Sequence, residues 1–194
     1  LMLRHPGWCE GMIVKVNGEK VKTASAPSSY ITLDREWRDG DVVELEMPMK
    51  VIIEELNYLP SYVSILRGPI VMAARFDNGA PLPGLKADDH RWAHIAHGPL
   101  VSVFDTPLLI GNRKTLLKKL NEMKPVEGKE MTYSAAGIFD SKFGDVELEP
   151  FFRIHDSRYM MYWLSMTPKE YDRYIVNARR DEEQRLALDS RTVD

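Results

Sequence analysis

Two residues, Asn17 and Gly18, constrain this chain more than any other pair, because both tolerate positive φ and together they close a two-residue type I′ hairpin turn. Their flanks agree. Met12, Val14 and Val16 share one face with Lys15 opposite, and Glu19 to Lys22 supplies the returning strand. The same grammar then repeats. Leu1 to His5 reads as a strand stopped by Pro6-Gly7, and Thr23 to Ser29 as a small polar loop. Tyr30, Ile31 and Leu33 mark a further strand, after which Trp37 and the Asp39-Gly40-Asp41 turn lead into Val42 to Met47. There Val43, Leu45 and Met47 alternate with Glu44 and Glu46, so one face is wet. Pro48 ends that pairing, Lys50 to Glu54 resumes an extended pattern, and Tyr62 to Leu66 and Ile70 to Ala74 flank Arg67-Gly68-Pro69. Short strands roughly ten residues apart, without helices between them, predict a mainly β fold. The expected form is an antiparallel sandwich of jelly-roll or Greek-key type.

A second stretch concentrates chemistry. Glu149 to Trp163 holds eight large apolar or aromatic residues among its fifteen, and its four central charge-bearing residues, Arg153, His155, Asp156 and Arg158, fall within six positions. Tyr159, Met161 and Trp163 alternate with Met160, Tyr162 and Leu164, which predicts a central strand buried on both faces and entered through a polar corner. Next comes Thr167-Pro168-Lys169-Glu170, a capping box with proline at the first helical position. A C-terminal helix should therefore run from about Pro168 toward Leu188. Upstream, Leu116, Leu117 and Leu120 opposed to Lys114, Lys118 and Lys119 predict a short amphipathic helix over Arg113 to Met123. Met131 to Ala135 reads as a weak strand.

Between Arg75 and Asn112 the periodicity lapses into closely spaced glycines and prolines. His90, His94 and His97 would stack on one face of a helix, with Asp88 or Asp89 able to complete a metal site. That reading is discounted. The run ends in Gly98-Pro99, and it lacks the glutamate that a zinc-hydrolase helix carries between its first two histidines. Trp92 beside these charges is a candidate lip facing a sugar or a neighbouring domain, although a lone tryptophan is more often core.

A chain of 194 residues can bury one good core or two small ones. The composition shift favours a β-sandwich over 1–75, a connecting loop with a short helix over 76–130, and a β-rich extension with the C-terminal helix over 131–194. The net charge of −3, from 26 basic and 29 acidic residues interspersed, gives no footprint for nucleic acid and no polybasic membrane patch. No apolar run approaches the roughly 20 residues that span a bilayer. Cys9 is the single cysteine, so neither an intrachain disulfide nor a cysteine-rich zinc site can be assembled. The opening Leu1-Met2-Leu3-Arg4 alternates like the middle of a strand, and both ends read as cuts from a longer polypeptide.

Four phrases carry a resemblance: Leu3-Arg4-His5-Pro6-Gly7-Trp8, Val14-Lys15-Val16-Asn17-Gly18, Tyr30 through Asp41, and Leu66-Arg67-Gly68-Pro69-Ile70-Val71. In order and spacing they resemble the region after the catalytic barrel in glycoside hydrolase family 127, the β-L-arabinofuranosidase-like proteins. The match covers about the first 75 residues, and the remainder is similar to a C-terminal extension of some members. The resemblance implies a parent that hydrolyses glycosidic bonds with a cysteine nucleophile on a zinc ion, held by further cysteines and a glutamate in an upstream helical barrel. With one cysteine and no barrel, this chain inherits no catalytic residue and no cofactor, and zinc belongs to the missing domain. Its implied partners are that barrel and plant polysaccharide or oligosaccharide. Its implied location, with the parent, is periplasmic or extracellular.

His155, Asp156 and Arg158 remain as a corner with two readings. Imidazole, carboxylate and guanidinium beside aromatics can read sugar hydroxyls or contact the barrel. Alternatively the corner is structural, with Asp156 accepting from Arg153 or Arg158. The structural reading leads, because buried charges must be paired whether or not they serve function.

Overall fold

A computed structural model describes residues 1–75, 106–155 and 157–189, with residues 182–189 by backbone alone. The fold is mainly β, with two helices, one of them C-terminal. Two compact units divide the chain: unit 1 takes Leu1–Ile52 and Leu66–Ile70, and unit 2 takes Ile53–Ile65 and Val71–Asp194.

Unit 1 grows from the turn predicted at Asn17 and Gly18, whose φ angles are 52° and 80°. They join β2 (Ile13–Val16) to β3 (Glu19–Val21), with Val16 opposite Glu19. The Asn17 side chain then ties the turn to the next strand: its Nδ2 donates to Asp41 Oδ1 at 2.8 Å, and its Oδ1 accepts from the Val42 amide at 2.8 Å. Asp41 also accepts from the Arg38 amide. These two donors, the Asn17 amide first, hold the Asp41 carboxyl below its ordinary range. β5 (Val43–Glu46) pairs antiparallel with β2. On the wet face Lys15 pairs with Glu46, and on the other Val14 and Val16 are buried. A separate antiparallel pair, β1 (Met2–His5) with β4 (Ser29–Thr32), adds Ile31 to the core. That core gathers Cys9, Met12, Val14, Val16, Ile31 and Leu33. His5 is buried against it. A carbonyl only accepts, so His5 Nε2 donates to the Cys9 oxygen at 2.7 Å, and Nδ1 meets Ser25 Oγ at 2.7 Å.

Unit 2 is built on the greater part of a hairpin of β7 (Leu59–Arg67) and β8 (Ile70–Arg75), whose closing residues Leu66–Ile70 count with unit 1, and β6 (Val51–Leu56) pairs with β7. The inner positions Val63, Ile65, Met72, Ala73 and Ala74 are buried. β8 receives β12 (Glu147–Pro150) and β13 (Tyr159–Met160), while β7 receives β14 (Trp163–Met166), all antiparallel. β9 (Leu109–Ile110) closes against β14 in parallel, and β11 (Tyr133–Ser134) with β10 (Lys124–Pro125) extends beyond β12. Helix α1 (Arg113–Asn121) is capped by Asn112, whose side chain accepts from the amides of Lys114 and Thr115, and it buries Leu116 and Leu120 as its apolar spacing requires. Helix α2 (Pro168–Asp189) begins on the predicted box: the Thr167 amide donates to Glu170 at 2.9 Å and the Glu170 amide to Thr167 Oγ1 at 3.4 Å. The Thr167 hydroxyl and amide both hold the Glu170 carboxyl below its usual range. Among the described residues no helix is long and apolar enough to cross a membrane.

One expectation is corrected. Tyr159 to Leu164 is not a continuous strand buried on both faces. It is two strands, β13 on β8 and β14 on β7, separated by a bend at Met161 and Tyr162. Tyr159 and Tyr162 are exposed, while Trp163 and Leu164 are fully buried. The chain must leave one side of the β7–β8 hairpin and reach the other. The tyrosines, with polar tips, occupy the crossing.

Candidate functional site

The site is set by one guanidinium. Arg75 ends β8, an otherwise apolar strand, and the register places Ala73 opposite Glu149 on β12 and Arg75 itself opposite Tyr159 on β13. Arg75 Nε donates to Glu149 Oε1 at 2.7 Å, Nη1 to Ser157 Oγ at 2.9 Å, and Nη2 to the Arg153 carbonyl at 3.1 Å. All three nitrogens are engaged, so this side chain pins β12, the 3-10 turn Phe151–Arg153 and the following corner to β8. Phe151 packs on Tyr159 at 5.0 Å between ring centroids, which fixes the same turn from its apolar side.

Beside this clamp lies a groove of about 560 Å³ lined by Arg75, Lys129, Glu130, Glu147, Glu149 and Arg153, with Thr132 and Asp145 completing it. Its cations are paired: Lys129 with Glu147, and Arg153 Nη2 with Glu130 Oε2 at 2.8 Å, while Arg153 Nη1 donates to the Glu130 carbonyl at 2.8 Å. Asp145 is exposed and makes no such bond among the described residues. Phe152, on the 3-10 turn, stands 60% exposed, with the Arg153 guanidinium carbon 5.9 Å from its ring centroid.

Of the residues singled out from sequence, His155 is exposed and Arg158 half-buried, while Asp156 and Trp92 lie outside the described residues, as do His90, His94 and His97. Trp37 stands partly exposed in unit 1 with the Arg35 guanidinium carbon 5.0 Å from its ring centroid. The paired corner comes from Arg75 and Glu149, which the sequence reading did not single out. The available signal was a lone arginine closing a buried strand, which demands a partner. Among the described residues no three of His, Cys, Asp and Glu converge as metal ligands. Cys9 is fully buried in the core of unit 1, so its sulfur has no route to a substrate or a shared zinc ion.

The two units correspond to two known families. Residues 52–165 match DUF4986, described as a domain of unknown function. The chain belongs to this family. Residues 1–49 match the middle domain of the GH127 β-L-arabinofuranosidases, so the likeness to glycoside hydrolase family 127 holds. The first match ends at residue 49 and the second begins at residue 52, next to the point at Ile52 where the chain first passes from unit 1 into unit 2. Among solved structures, the GH127 β-L-arabinofuranosidase Ara127N-Se from Geobacillus stearothermophilus T6 aligns over 85% of this chain and 26% of its own, at 17% identity and a TM-score of 0.50. The GH127 β-arabinofuranosidase BT3674 aligns over 81% of this chain and 24% of its own, at 20% identity and 0.49. Another glycoside hydrolase gives 84% and 27%, at 19% and 0.48. At these identities the likeness to Ara127N-Se is one of fold. The chain spans about a quarter of the length of the structures it matches. No curated protein matches it in sequence.

Proposed function

We infer that this chain is a non-catalytic accessory part of a bacterial glycoside hydrolase acting on arabinofuranosyl-type plant glycans, and that it packs on a catalytic barrel in the same polypeptide. The observation that carries this reading is the GH127 middle-domain match at residues 1–49, in a chain that covers only 26% of a β-L-arabinofuranosidase of similar fold. The burial of Cys9 supports the non-catalytic role, because a sulfur shielded in a core can neither attack a sugar carbon nor share a zinc ion. A zinc-thiolate centre does not fit the residues described here, and its place is the barrel. The parent works where plant polysaccharide is met, in the periplasm or outside the cell.

Incubating the isolated chain with an aryl arabinofuranoside tests the reading. No release of the phenol above background is expected. Metal-independent turnover that a single carboxylate substitution abolishes would overturn it, since two acidic groups about 5 to 10 Å apart suffice for a glycosidase.

A further inference from the structure

We propose that the groove between β12 and the segment 126–132 of unit 2 is a carbohydrate-binding subsite, with Phe152 as the platform for one sugar ring and the spare oxygens of Glu130, Glu147 and Asp145 as readers of its hydroxyls. The choice of ligand follows from what the groove has left to offer. Arg75 spends three of its five N–H donors within the protein, one from each nitrogen, and Arg153 spends one from each terminal nitrogen on Glu130. Glu149, Glu147 and Glu130 each bind their cation through one oxygen, which leaves the second oxygen of each, and both oxygens of Asp145, as acceptors. With three basic and four acidic side chains, an anion meets paired cations and net repulsion. An apolar ligand would have to strip water from charged groups without replacing their hydrogen bonds. A neutral molecule with many hydroxyls does neither: its hydroxyls donate to the spare carboxylate oxygens, and one or two of them accept from the remaining N–H groups of Lys129.

The aromatic is the second half of the site. Phe152 is 60% exposed although a buried position lies two residues away at Ile154, and its ring lies beside the guanidinium of Arg153, which itself lines the groove. An exposed flat apolar face next to convergent polar groups is what a sugar ring requires, carbon-bound hydrogens on one side and hydroxyls on the other. The Arg75 clamp below holds the turn that presents Phe152, so the platform is preorganised. The assignment of this ligand to an arabinofuranosyl glycan rests on the function proposed above. The groove itself does not.

Titration of the full chain with an arabinofuranosyl disaccharide, and separately with cellobiose, tests the proposal by calorimetry and by amide chemical shifts. Binding with a Kd of about 1 mM is expected for the arabinofuranosyl sugar, with shifts around Phe152 and Glu147. Phe152→Ala and Glu147→Gln should each weaken it about tenfold with unchanged circular dichroism. No heat and no shift with either sugar would overturn the groove as a subsite and leave the accessory role standing. Binding that neither substitution weakens would overturn it equally. Cellobiose bound as well as the arabinofuranosyl sugar, and weakened by the same substitutions, would support the groove and count against the arabinofuranosyl part of the functional reading.

Discussion

The two units put their polar residues to different uses. In unit 1 the ion pairs Lys15–Glu46 and Lys50–Glu10 lie on the surface, as does the bond of Asn17 to the Val42 amide, and the buried polar contact is that of His5 on a carbonyl. In unit 2 a charge is placed at the seam: Arg75 and Glu149 retain only 31% and 20% of their side-chain exposure and join strands far apart in sequence. Unit 1 has one hairpin whose turn is written locally, β2–β3, and adds β5 and the β1–β4 pair across loops of intermediate length. Unit 2 draws β12, β13 and β14 onto the β7–β8 hairpin at residues 59–75, so its core depends on contacts that close far longer loops.

The sharpest way to break this comparison is to empty the core that non-local pairing builds. Trp163→Ala removes a fully buried ring that faces Phe139 at 5.6 Å between centroids, and should cost about 3 to 5 kcal/mol in urea unfolding. A loss near that of an exposed residue would refute the placement of β14 on β7. Next in size, Arg75→Met strands a partly buried Glu149 and frees Ser157, at a cost of about 2 kcal/mol. Adding Glu149→Leu should recover most of that loss, because the seam then closes with apolar contact, and failure to recover would mean that the pair does more than neutralise itself. A smaller effect belongs to unit 1. Gly18→Ala forces a side chain to φ of +80° in otherwise open space, for about 1 kcal/mol of strain.

The smallest effect is a pH dependence. Asp41 has a folded pKa below its unfolded one, so its contribution is present above the ordinary carboxylate value and is lost as pH falls through the lower, folded value. Asp41→Asn should flatten the urea midpoint of unit 1 between neutral and acidic pH. An unchanged slope would show that the Asn17–Asp41 bond does not form in solution.

What sequence revealed follows the range of each interaction and not the division into units. Asn17-Gly18, Arg67-Gly68-Pro69, the Leu116 and Leu120 stripe and the Thr167–Glu170 box each act over a few residues, and each appears where the chemistry of its own residues puts it. The alternation of Tyr159 to Leu164 misled, because period-two burial cannot distinguish one strand from two strands on opposite sides of a hairpin. The groove was harder still. Glu130, Glu147 and Arg153 become neighbours only through the pairing of β11 with β12, and nothing in a local window marks a carboxylate whose partner is 23 residues away.

The proposed accessory role, in which this chain lends no reacting group to a parent glycosidase, is tested most directly on its one thiol. Cys9→Ala in the whole parent polypeptide should leave kcat/KM on an aryl arabinofuranoside unchanged, since the sulfur is a packing atom in the core of unit 1. Loss of hydrolysis in a variant that keeps its circular dichroism and its unfolding midpoint would contradict the account.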